Sequence, residues 1–145
     1  MSDSSIFSPF SRKAFYYETD SMGIVHHSNY IRWMEEARIY WLEYIGYPYS
    51  KVEESGLMIP VLHAECDYKN PVRFDDVFEI HITLTDFNGV RFSVEYKIIN
   101  KTTNKLSAVG RSSHCFVNLD FRPIRTKRDF PELYNVFNDN LNIEF

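Results

Sequence analysis

A chain of 145 residues fits a single domain spanning 1–145 and does not stretch to two well-filled cores. With 16 basic against 20 acidic residues the net charge is −4, which argues against general nucleic-acid binding; 44% hydrophobic and 17% aromatic content supplies bulk for a sizeable core. Cys66 and Cys115 are too far apart for a zinc spacing and too few for a disulfide framework, so they read as free thiols of a reducing cytoplasm.

The opening "MSDSSIFSPF" lacks the basic and apolar regions of a signal peptide, and no run approaches the ~18 apolar residues of a membrane span. Those features predict a cytoplasmic protein without membrane contact. Residues 1–10 read as a loose N-terminus, and Ser11 to Tyr17 reads as a strand with Phe15 and Tyr17 on one face.

The clearest element follows His27. Tyr30, Trp33, Met34, Ala37, Trp41, Tyr44 and Ile45 recur at helical spacing, while Arg32, Glu35, Glu36 and Glu43 fall largely off that stripe. The spacing predicts a helix of about 17 residues, N-capped by Ser28 or Asn29 and stopped at Gly46. Pro48 breaks the chain, and Ser50 to Ser55 reads as a short second helix closed by Gly56.

Strands dominate from there. Met58 to Tyr68 reads as a long strand and Lys69-Asn70-Pro71 as a turn. Val77 to Phe87 alternates, with Phe78, Ile80, Ile82 and Leu84 on one face; Asn88-Gly89 is a hairpin signal; Val90 to Asn100 alternates back. Leu106 to Leu119 is a further strand, and Pro131 to Leu141, within a C-terminal segment of about 130–142, reads as a helix with Asp129 as its cap. The order predicts an α+β fold, a curved antiparallel sheet around one long helix.

Two constellations carry chemistry. In "YYETDSMGIVHHSNYIRWMEEAR" Asp20 precedes the helix by under ten residues, and Gly23 permits a turn between them. The free N–H groups of a helix start stabilise negative charge developing on a carbonyl oxygen, and a carboxylate nearby can activate water or attack the carbon. On spacing alone Asp20 reads rather as the polar residue of a glycine turn, with His26 and His27 on the surface. His63, His81 and His114 lie on separate strands, which predicts no metal site. The second constellation is "RPIRTKR", where Arg122, Arg125, Lys127 and Arg128 follow the last strand, on a predicted loop; it reads either as a phosphate grip or as a solvated basic loop.

The stretch from Tyr16 to Arg38 resembles the hot-dog-fold acyl-CoA thioesterases of the 4-hydroxybenzoyl-CoA thioesterase family, on Tyr16, "ETD", Gly23, "IVHHSNY" and "RWMEEAR". "HAECDYKNPVRFDD" resembles the family's following strand and turn. The resemblance implies a hot-dog fold, hydrolysis of an acyl-CoA or acyl-carrier-protein thioester without a cofactor, and a homodimer or homotetramer whose sites are shared between subunits. It implies that Asp20 is the catalytic nucleophile or general base, and that the helix start at His27 polarises the thioester carbonyl. Tyr16, Gly23 and Val25 are implied to line or shape the substrate site, and Arg122, Arg125, Lys127 and Arg128 to hold the CoA phosphates; His26 is left as a structural neighbour.

Another branch of that superfamily carries its carboxylate on the central helix, so Glu35 and Glu36 compete with Asp20, although Glu36 with Arg32 is a plausible surface pair. Two other functions stay open: an acyl hydratase or dehydratase, with His27 and a helix glutamate as acid and base, and a non-catalytic module that binds acyl thioesters or a protein in the same groove.

Overall fold

The computed structural model describes residues 7–145. Five strands form one antiparallel sheet: β1 (Phe10–Lys13), β2 (Val61–Tyr68), β3 (Val77–Phe87), β4 (Arg91–Asn100) and β5 (Lys105–Cys115), in the order β1-β3-β4-β5-β2. The 17-residue helix α1 (Ser28–Tyr44) lies in the trough of the sheet, giving the α+β hot-dog arrangement. α2 (Tyr49–Glu54), α3 (Thr126–Asp129) and α4 (Pro131–Asp139) complete the chain.

The core is the meeting of two periodicities. α1 buries Tyr30, Trp33, Met34, Ala37, Trp41 and Leu42, and the sheet offers Phe78, Ile80, Ile82 and Leu84 from β3 with Phe92, Val94, Tyr96 and Ile98 from β4. Trp33 stacks on Phe78 at 3.9 Å. Gly110 is the contact point between helix and β5: a Cβ there would run into the Sδ of Met34. α4 plugs one end of the trough, where Phe137 meets Trp41, Phe87, Phe92 and Phe116 edge-on or tilted. A core so rich in aromatic rings gains both from buried area and from ring-edge contacts.

Several boundaries differ from the sequence reading, each for a local reason. Of the stretch 1–10, residues 1–6 lie outside the described residues; Phe7 packs on Tyr44 and Phe145, and Phe10 opens β1. The expected strand Ser11–Tyr17 stops at Lys13, because the Glu18 carboxylate accepts the Phe15 amide and turns Tyr16–Glu18 into a 3-10 turn. The strand expected from Met58 starts at Val61; Pro60 has no N–H for the ladder, and Met58 makes only an isolated bridge to Val117. β5 ends at Cys115 rather than Leu119, since the Asn118 side chain accepts the amides of Asp120 and Arg122 and curls the chain. Neither Ser28 nor Asn29 caps α1: Asn29 reaches back to the carbonyls of Glu18 and His26. α4 ends at Asp139, and Asp129 pairs with Arg128 instead of capping it. Glu36 pairs with Arg12 on β1, not with Arg32.

Candidate active site

The segment between β1 and α1 is built on one buried carboxylate. Glu18, only 2% exposed, accepts hydrogen bonds from Arg12 Nη1 (3.1 Å) and Nη2 (2.8 Å), the Phe15 amide (2.8 Å) and Trp33 Nε1 (2.9 Å). Burial by itself raises the pKa of Glu18, but the bonds from Arg12, Phe15 and Trp33 outweigh it and hold the group below its ordinary range. Arg12 also bonds Glu36 and lies over the rings of Phe15, Trp33 and Phe78. The Glu18 carbonyl then accepts the His26 amide and the Asn29 side chain. Both ends of the loop are therefore pinned to the same residue.

Within that loop Asp20 closes a tight turn. Its amide donates to the Ile24 carbonyl (2.8 Å), its carbonyl accepts the Gly23 amide (3.0 Å), and its Oδ1 accepts the Met22 amide (2.8 Å). Gly23 sits at φ +79°, the left-handed region that a side chain resists, although nothing lies within 4 Å of the place a Cβ would take. The turn engages Oδ1, and Oδ2 accepts no hydrogen bond among the described residues.

The start of α1 is only partly satisfied. The Ser28 amide donates to His26 Nδ1 (3.1 Å), the Asn29 amide to the His26 carbonyl (3.0 Å) and the Tyr30 amide to the His27 carbonyl (3.2 Å). His26 thus caps the helix, which gives the structural neighbour a definite task. The His27 amide has no acceptor among the described residues, so one N–H remains at the positive end of a 17-residue helix. The His27 ring stacks on His26 at 4.1 Å, and its carbonyl accepts the Tyr68 hydroxyl at 3.3 Å.

Asp20 and His27 open on a hollow of about 340 Å³ with Val25, Met22, Ile24, Tyr30, Tyr68, Lys69, Asn70 and Pro71 around it. Val25 is anchored by its amide to the Val72 carbonyl. Tyr30 packs edge-on to Tyr68 at 5.0 Å, and burial pushes its hydroxyl up to about 12, so both tyrosines are neutral donors near pH 7. A carboxylate, a free helix-start amide and apolar walls suit addition to a carbonyl whose oxygen becomes negative.

The structure brings Asp20, Val25 and His27 together, with Gly23 in the turn that holds them. It does not bring Tyr16 in: that ring is 74% exposed and packs on Phe74, outside the hollow. The basic run is also elsewhere in the same chain. The Lys69 and Asn70 amides on the rim donate to the Ser107 carbonyl near the start of β5, whereas the run follows the other end at Cys115, a strand length of roughly 25 Å. Arg122 and Arg125 are on the loop, Lys127 and Arg128 within α3, and all four are exposed. Arg128 pairs with Asp129, and Lys127 lies over the Tyr134 ring. Of the competing helix carboxylates, Glu36 is tied to Arg12, and Glu35 faces hollows further along α1. No group of three or more His, Cys, Asp or Glu side chains gathers among the described residues in a way that would hold a metal ion.

Glu18, Tyr30, Lys69 and Asn70 receive no site role from the sequence, and Tyr68 only a place in the strand-and-turn resemblance. Only the "ETD" and "DYKNP" strings flag their neighbourhood, and the helical stripe accounts for Tyr30 as core.

The family model of the "Thioesterase-like superfamily" matches residues 16–138. A relative from Aquifex aeolicus described as "Putative esterase" is 42% identical over 108 residues, covering 74% of this chain and 83% of that protein. One from Bacillus subtilis described as "Putative acyl-CoA thioesterase YneP" is 35% identical over 123 residues, covering 84% and 88%. Among solved structures, the DHNA-CoA thioesterase from Staphylococcus aureus superposes with a TM-score of 0.87 at 28% identity, covering 91% of this chain and 89% of that one.

Proposed function

The chain belongs to the thioesterase-like superfamily, and from that premise we propose that it hydrolyses an acyl-CoA thioester to the free acid and CoA. The observation that supports this most is the uncommitted His27 amide at the start of α1, opening on the same hollow as the Asp20 carboxylate. In this reading the thioester carbonyl oxygen accepts the His27 N–H and gains negative charge as the carbon is attacked. The helix dipole favours that charge. Asp20 Oδ2 either takes a proton from the attacking water or attacks the carbon itself, and collapse of the tetrahedral species expels CoA as its thiolate; the first route yields the free acid directly, and the second leaves an acyl-Asp20 anhydride that a water hydrolyses to the free acid and the restored carboxylate.

The acyl group rests against Met22, Val25, Tyr30 and Tyr68, walls that accept aliphatic and aryl groups alike. Two exposed features support an assembly with shared sites. β2 is an edge strand whose residues are almost all exposed, including Val61, Leu62 and Tyr68, and so it has a free edge for a second copy. The basic run lies too far from its own hollow to grip a nucleotide bound there, so Arg122, Arg125, Lys127 and Arg128 serve the CoA phosphates of a neighbouring subunit. No helix among the described residues is long and apolar enough to cross a membrane, and Cys66 and Cys115 are unbridged, which supports a cytoplasmic setting.

The test is a panel of aliphatic and aryl acyl thioesters, on CoA and on acyl carrier protein, assayed with wild type and Asp20→Asn. Asparagine keeps the Oδ1 bond to Met22 and so the turn. The expected loss in kcat is on the order of 10²–10⁴ without loss of folding. Equal rates for the two proteins on every substrate would remove Asp20 from the chemistry.

A further inference from the structure

Away from the Asp20 hollow, a cavity of about 280 Å³ opens beside the middle of α1, between that helix, the start of β2 and the far end of β5. Ile39, Leu42, Ile59, Val61 and Phe92 form apolar walls. Five residues with polar groups share the lining: Glu35, Arg38, Trp41, Tyr49 and His114.

Of these, Arg38, Trp41 and His114 carry donors that are buried or half-buried. Arg38 is half-buried, forms no ion pair among the described residues, and spends one N–H on the Tyr96 hydroxyl at 2.9 Å. Tyr96 meets Ser112 Oγ at 2.5 Å, and Ser112 Oγ meets His114 Nε2 at 2.8 Å. Arginine only donates, so the Tyr96 oxygen accepts from it. Only one direction then leaves no buried hydroxyl hydrogen unused: Tyr96 donates to Ser112, and Ser112 donates to His114 Nε2. His114 therefore carries its proton on Nδ1, which has no acceptor among the described residues. Burial and the nearby Arg38 charge push the imidazole down to about 3, so it is neutral at ordinary pH. Its ring stacks on Phe92 at 4.7 Å, fixing the orientation.

The third donor is an orphan. Of the chain's two tryptophans, Trp33 donates its indole N–H to Glu18, while Trp41 is fully buried with an indole N–H that meets no acceptor among the described residues. Glu35 is exposed at the rim and makes no ion pair with Arg38, so the guanidinium charge is not cancelled inside the chain.

We propose that this cavity binds a small apolar carboxylic acid as its carboxylate, with Arg38 holding the anion, the His114 Nδ1–H supplying a further donor and the Trp41 ring forming part of the wall. The volume lies at the small end of ligand sites, which suits a ring-sized or short aliphatic body rather than a long chain. The acid arrives either free or as a carboxylate borne on the acyl group of a thioester.

The two indoles give the test its internal control. Benzoate and hexanoate are titrated into the ¹⁵N-labelled protein, with toluene as the uncharged comparison. The Trp41 indole resonance moves with the acids and the Trp33 resonance stays. Arg38→Met weakens benzoate binding by roughly ten- to a hundredfold, Arg38→Lys by less, and toluene is indifferent to both. Failure of either acid to move Trp41, as when a second copy fills the cavity, overturns the proposal, and so does an equal loss of benzoate and toluene in Arg38→Met. Thioester kinetics then separate the two sources. Competitive inhibition by benzoate that Arg38→Met relieves identifies the acyl end, and binding without inhibition identifies a free acid. The binding arm stands whether or not thioester turnover is found.

Discussion

Replacing Glu18 by Gln tests the claim that one buried carboxylate organises the active-site loop. The two carboxylate oxygens divide four donors evenly: Oε1 accepts from Phe15 N and Arg12 Nη1, and Oε2 from Trp33 Nε1 and Arg12 Nη2. Glutamine keeps one oxygen and turns the other into an NH₂ group. Whichever way it sits, two donors lose their acceptor and face another donor. Each such buried loss is on the order of 1–3 kcal/mol, and the ion pair with Arg12 is lost as well. Glu36 still holds Arg12 at 2.9 Å, which keeps the penalty toward the lower end, about 3 kcal/mol in all. For a chain of this size that corresponds to a fall in Tm of roughly 10 °C.

Acid adds a second readout. Glu18 has a lower pKa folded than unfolded, so its contribution is fully present above the usual carboxylate pKa of 4.5 and is lost as pH falls through the lower, folded value. Wild type therefore loses this contribution on acidification, while Glu18→Gln has none to lose, and the gap between the two stability curves narrows below about pH 4. Urea unfolding of both proteins at several pH values measures it. A variant within about 0.5 kcal/mol of wild type at pH 7, or a gap that widens in acid, would refute the reasoning.

Two further substitutions probe the site and the core. His27 sits at φ −56°, which proline also adopts, and its amide has no acceptor among the described residues, so His27→Pro removes the proposed oxyanion donor without breaking a backbone bond. The expected fall in kcat is on the order of 10²–10³, against a small change for His27→Ala, which keeps the N–H; similar kinetics for the two variants would move the oxyanion site elsewhere. Gly110→Ala drives a Cβ into Met34 at the helix–sheet contact and is expected to destabilise by about 1–3 kcal/mol in calorimetry or denaturant unfolding, with relief from a second change, Met34→Ala.

The comparison of sequence with structure divides along the range of the interactions. α1 and the β3–β4 pair were legible because their apolar residues repeat at 3.6 and 2.0, and the trough needs both stripes. The turn at Asp20 and Gly23 was legible for the same local reason. Strand ends were not, because side chains competed for the backbone: Glu18 ended β1, Pro60 delayed β2 and Asn118 curled the chain after β5. Helix capping misled in the same way: the His26 ring accepts the Ser28 amide, and the Asn29 side chain donates to the Glu18 and His26 carbonyls instead of capping.

By itself, the sequence determined where the long helix and the main strands lie, which of their faces are apolar, and that a carboxylate, a glycine and a helix start stand within ten residues of one another. Those are properties of neighbours along the chain. The tertiary structure alone decided which carboxylate is structural: Glu18 and Asp20 are two residues apart, yet Arg12 and Trp33 converge on the first and leave the second open. It alone turned Tyr16 outward, set the basic run at the opposite end of β5, and joined Arg38 to His114 through Tyr96 and Ser112. Such pairings link residues distant in sequence, and they exist only once helix and sheet have packed to exclude water between them.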